Sequence, residues 1–226
     1  MTSPHRPSSG LVILTRLELA GLVRSGEGAL AAWLLQVGTV LLLAFGSARP
    51  GPELAAPALW VGLLLASSLL ATDLYRAEHT HRVAETLLAG PVRPEALFGA
   101  KLVRAVVVLA WIALTGHLLV IFLFGTPLPE SWPLTLLTDL LGCIGLAGLA
   151  ALFGARAGSG RSGDWLLTAA AVPLSVPLVV ASARATDLLF GLGPSESLMP
   201  WLALQAGFDL LVLTAGLWSA EALLKP

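Results

Sequence analysis

The sequence predicts an all-α membrane protein, a bundle of six transmembrane helices. Three observations carry that reading. Of its 226 residues 56% are hydrophobic and only 12% are charged, against about 25% charged in an ordinary soluble domain. Six long runs are free of charge or hold a single aspartate. Those Leu, Ala and Val runs lack the period-two alternation of a membrane barrel, so helices must satisfy the backbone in lipid. The same composition excludes a water-soluble enzyme and a disordered tail. A net charge of −1 removes the basic excess on which nucleic-acid binding relies. The single cysteine, Cys143, can form neither an internal disulfide nor a thiolate metal cage.

Residues 11–25 come first. Arg16, Glu18 and Arg24 interrupt the apolar run and no small-residue cleavage pattern follows. They are expected to form a helix along the cytoplasmic interface, with leucines toward lipid and Thr15, Glu18 and Ser25 recurring near helical spacing. The spans follow at 28–48, 56–73, 102–124, 133–155, 165–183 and 198–220, each about long enough to cross roughly 30 Å of hydrocarbon.

Orientation comes from Lys and Arg, which cytoplasmic loops retain. Arg6, Arg16, Arg24, Arg76, Arg82, Arg93, Lys101, Arg104, Arg156, Arg161 and Lys225 fall on one side, and only Arg49 and Arg184 on the other. Both termini are therefore expected in the cytoplasm. Trp60, Trp132, Trp165, Trp201 and Trp218 lie near span ends, where indoles suit the headgroup layer, whereas Trp111 sits inside a span and reads as packing.

The polar centre of the chain is the segment 74–94 with its flanks, which gathers Asp73, Arg76, Glu78, His79, His81, Arg82, Glu85, Arg93, Glu95, Lys101 and Arg104. Val83, Ala84, Leu87 and Leu88 give a narrow apolar stripe, and Gly90 and Pro91 end that short helix. Pro94 suits the first turn of the next helix, with Glu95 beside it. From Pro94 to Phe124 a helix measures about 46 Å, more than the hydrocarbon needs. It should project inward, with Lys101 and Arg104 snorkelling at the boundary. Such a segment suits a soluble docking partner as well as it suits an ordinary solvated loop.

Inside the spans, Pro173 and Pro177 remove two backbone donors from the fifth helix and mark a hinge or a fixed kink. Asp139 and Asp209 are intramembrane carboxylates, a functional hypothesis by default. Asp139 lies close enough to Pro133 to meet outer water, and Asp209 lies deeper. His117 could ligate haem iron, but hydrogen bonding within the bundle is the plainer reading. Gly142, Gly145 and Gly148 suit close helix packing. Gly158 to Gly163 spells G-x-G-x-x-G, but it joins two membrane helices rather than opening a βαβ unit, and so reads as a loop. Neither G-x-x-x-x-G-K-[ST] nor H-E-x-x-H occurs.

Leu74-Tyr75-Arg76, Glu85-Thr86-Leu87-Leu88, Pro91 and Ala100-Lys101, together with Val172-Pro173-Leu174-Ser175-Val176-Pro177-Leu178, resemble the CcmB family, the haem exporter membrane subunit of cytochrome c maturation. The resemblance covers nearly the whole chain and departs from the family's pattern at His81 and Arg82. It implies an ABC-2-type exporter permease-like bundle in the bacterial inner membrane, non-catalytic itself. ATP would be hydrolysed by a partner, the ATPase CcmA, which on this reading engages Arg76, Val83, Glu85, Leu87, Leu88, Pro91 and Lys101. It further implies a homodimer, association with CcmC and CcmD, a link to the haem chaperone CcmE, haem as cargo, and no bound cofactor or metal. The alternatives are a lipid or drug exporter of the same architecture, a membrane scaffold without transport, and an intramembrane enzyme using Asp139 and Asp209.

Overall fold

The computed structural model describes residues 7–24, 26–48, 51–75, 93–157, 164–193 and 196–224. Among the described residues there are seven α-helices, one 3-10 turn and no strand. We label the helices α1 (Pro7–Arg24), α2 (Glu27–Gly46), α3 (Ala55–Leu74), α4 (Pro94–Phe124), α5 (Trp132–Ala157), α6 (Asp164–Leu189) and α7 (Met199–Leu224). The 3-10 turn, Pro52–Leu54, leads into α3. Helices α2 to α7 each contain a stretch long and apolar enough to cross a membrane.

Local signals place the ends of α4. Arg93 is extended, at φ −79° and ψ 136°, as a residue before proline must be. Pro94 occupies the first turn, where its missing N–H costs nothing. The helix then runs 31 residues to Phe124 and stops at Gly125, whose φ of 63° is the left-handed conformation that glycine adopts freely.

Helices α3, α4 and α5 form the centre of the bundle. The third packs on α2, α4, α5 and α6, and the fifth on α3, α4, α6 and α7. Helix α1 packs on α4. Lipid supplies no hydrophobic force between helices, so close approach of small residues must hold such a bundle. The glycine stripe of α5 shows how. Gly142 lies under the indole of Trp60 and beside Ser182, Gly145 lies under Leu178 and the Asp209 carboxylate, and Gly148 lies under Val212. Large apolar side chains such as Leu42, Phe45, Phe122 and Trp218 point outward, where acyl chains would cover them.

Two tryptophans depart from their sequence-based placement. Trp60 is fully buried and donates from Nε1 to Thr186 Oγ1 at 2.9 Å, so it belongs to the core rather than to a headgroup belt. Trp111 does not fill the bundle. It is half exposed and tilts against Trp33 at a ring separation of 5.8 Å.

Gly142→Val would drive a side chain into the Trp60 ring. The expected outcome is a loss of about 2 kcal/mol of stability, seen as a lower thermal midpoint in detergent, whereas Gly38→Ala on the open face of α2 should leave the midpoint nearly unchanged.

Candidate functional site

At the inner side, as the lysine and arginine distribution assigns it, four charges close a network between three helices. Glu18 of α1 accepts from Lys101 Nζ at 2.8 Å and from an Arg104 guanidinium nitrogen at 3.0 Å. Arg104 donates its other terminal nitrogen to Asp73 Oδ2 at 3.3 Å. Two acids and two bases make the set neutral. The side chains are shielded, with Lys101 only 2% exposed. The Lys101 ammonium also lies 5.4 Å from the centre of the Tyr75 ring, within cation–π range. The Asp73 carboxylate presses on Gly28 in the first turn of α2, where a Cβ would collide with it and where a negative charge complements the helix dipole.

Helix patterning places these groups. Lys101 and Arg104, three residues apart, share one face of α4, and that face meets α1. Lys101 and Arg104 therefore do not snorkel to headgroups. Buried cations within reach of a carboxylate gain more from pairing than from exposure at the boundary. Glu18 correspondingly turns toward α4, while Leu11, Val12, Ile13 and Leu17 of α1 remain exposed. Asp73 and Tyr75 end the α3 side of the inner segment, and Lys101 lies about two turns into the helix that resumes after it. Arg76, Val83, Glu85, Leu87, Leu88 and Pro91 lie outside the described residues, as do His79, His81, Arg82 and the loop 158–163.

A second polar set lies in the outer half of the bundle. His117 Nδ1 is 3.3 Å from Asp139 Oδ2 and 3.2 Å from the Ala113 carbonyl, so this nitrogen faces one oxygen on α5 and one on its own helix. Its ring leans on Phe190 at 5.8 Å, and its Nε2 has no partner. Asp139 is buried and faces the interior, not outer water, because the turn that carries it looks toward α4. Gln205 Nε2 donates to Ser182 Oγ at 2.6 Å and to the Thr138 carbonyl at 3.2 Å. Gln36, wedged between Gly62 and Gly116, donates to the Leu59 carbonyl at 3.2 Å. Asp209 is buried against Gly145, and both its oxygens lack a donor.

These bonds bear on Pro173 and Pro177. Helix α6 runs unbroken through both. Beyond them, Leu178, Ser182 and Thr186 are buried against α5, α7 and α3. Around the prolines, Val172, Leu174, Val176 and Val180 are exposed while Ser175 is buried. The prolines thus lie just inward of the part of α6 that these contacts pin. Among the described residues no cluster of His, Cys, Asp and Glu could hold a metal ion.

The network hub Glu18 was not among the candidate residues read from the sequence. The available signal was an isolated acid within an apolar helix, facing a Lys and an Arg at helical spacing elsewhere in the chain. The pairing between distant segments itself is invisible without the fold.

Residues 10–225 match the family model described as CcmB protein. No curated protein matches the chain.

Removing either partner of the Glu18–Lys101 pair should leave a buried charge. Glu18→Gln and Lys101→Met are each expected to cost about 3 kcal/mol, with the double variant costing clearly less than their sum. Chemical unfolding of the purified chain in detergent measures all three.

Proposed function

The chain belongs to the CcmB family, a membrane component of the haem-export and cytochrome c maturation ABC system, and from that premise we propose that it turns the ATP cycle of a separate ATPase into movement of its bundle. The single observation that carries this reading is the charge network, because it surrounds both roots of the inner segment. Asp73 and Tyr75 close the helix that enters the segment. Lys101 and Arg104 stand near the base of the helix that leaves it.

The steps follow from that arrangement. An ATPase of the CcmA type closes on ATP and pushes the stripe of Val83, Leu87 and Leu88, with Arg76, Glu85 and Pro91 setting its register. The 31-residue α4 carries the push inward as a rigid rod, since a helix transmits axial load without rearranging its hydrogen bonds. Glu18 makes α1 follow α4. Within the bundle, α6 bends at Pro173 and Pro177 about its pinned outer part. The protein binds no nucleotide itself on this reading, works as a homodimer in the bacterial inner membrane beside CcmC and CcmD, and serves release of haem-loaded CcmE or export of haem as cargo. His117 and Asp139 join α4 to α5 rather than ligate haem, a reading supported by their 3.3 Å contact.

Replacing Leu87 and Leu88 together by Glu should abolish docking. Copurification of the ATPase with the full chain is expected to fall at least about tenfold, since two buried leucines contribute about 3 kcal/mol or more, while expression and the thermal midpoint stay unchanged. Undiminished copurification would reject the docking stripe.

A further inference from the structure

The outer end of α3 and the outer end of α6 border an open cleft of about 580 Å³. Its polar wall carries Glu53, on the 3-10 turn before α3, with Arg184 and Asp187, one turn apart on α6. Its apolar wall includes Pro57, Val61 and Val180. The polar groups sit at the ends of their helices. Val61 lies about 12 Å deeper than Glu53, and Val180 about 6 Å deeper than Arg184. The cleft is therefore charged at headgroup depth and apolar at acyl depth, the profile of one lipid molecule standing in the leaflet.

The charges narrow the headgroup. Two carboxylates and one guanidinium suit a ligand that carries both signs. Arg184 presents a planar donor fork for a phosphate diester. It is exposed and, among the described residues, closes no ion pair within 4.0 Å with either acid, though its charge acts on Asp187 one turn away. Asp187 Oδ1 is buried and has no hydrogen-bond donor. A primary ammonium brings three such donors and can serve Asp187 and Glu53 together. A trimethylammonium brings none, and an anionic headgroup adds repulsion to a rim that is already net negative.

We propose that this cleft is a binding site for a primary-amine zwitterionic phospholipid, its phosphate on Arg184 and its ammonium between Asp187 and Glu53. The site is separate from the inner network and does not depend on the coupling role proposed above. An occupant there bridges α3 to the outer part of α6, the part that Ser182 and Thr186 already pin. A dianionic cargo is disfavoured at the same place, because two carboxylates face it for one guanidinium.

The full-length chain, reconstituted in phosphatidylcholine nanodiscs with equal minor fractions of phosphatidylethanolamine and phosphatidylglycerol, tests this by native mass spectrometry of the lipid retained after release. Phosphatidylethanolamine should be enriched over both other lipids. Glu53→Gln with Asp187→Asn should reduce that enrichment about tenfold, the loss of a charge-assisted hydrogen bond, with the thermal midpoint in pure phosphatidylcholine unchanged. Arg184→Gln should lower retention of every phospholipid. Equal retention of phosphatidylcholine, preference for phosphatidylglycerol, or enrichment that survives the double replacement would each overturn the proposal. So would efficient disulfide formation between two copies of a Val61→Cys, Cys143→Ala chain in native membranes, which would mean that a second copy covers the cleft.

Discussion

Glu18 holding Lys101 and Arg104 at once is the contact on which the inner half of the molecule depends. Hydrocarbon offers no water to a stranded charge, and a buried ion survives only beside an opposite one with its hydrogen bonds made. Lys101 is almost completely buried. Without Glu18, the base of α4 would have to unwind toward headgroups or draw water inward. With it, α1 is fixed to α4, at 31 residues the longest of the described helices. A neutral set of four charges does this without raising the net charge of the boundary.

The outer half obeys the same constraint by other means. There the polar groups are mostly uncharged, and they join helices in pairs: Trp60 to Thr186, Gln205 to Ser182, His117 to Asp139. Each bond spans two helices, so each limits sliding between them. The glycines of α5 bring the partners near enough to bond. Helix α6 receives its restraints from Trp60 and Gln205 beyond its prolines, at Thr186 and Ser182.

Much of this architecture could be read from the chain. Hydropathy gave six spans because lipid demands long apolar helices and little else satisfies the backbone there. Pro94 marked the start of α4 through a rule local to a few residues, and the apolar run placed its end at Phe124. What escaped was pairing at a distance. Lys101 and Arg104 looked like snorkelling cations because their partner lies in another helix about eighty residues earlier. Asp139 looked water-facing because its depth along α5 was legible while its rotation toward His117 was not. Trp60 looked interfacial for the same reason, since Thr186, its partner, is remote in sequence. Depth follows from counting residues, whereas the direction a polar side chain faces depends on which helices become neighbours.

Glu18 ties the base of α4 to α1, and ATP hydrolysis by the separate ATPase proposed above reports that link most directly. In nanodiscs holding the assembled complex, the rate with the wild-type chain is compared with that of Glu18→Gln, both normalised to ATPase bound. The account predicts that the ATPase still binds the variant but turns over at the rate it shows alone. A Glu18→Gln complex whose turnover responds to the membrane subunit as fully as the wild type would contradict it.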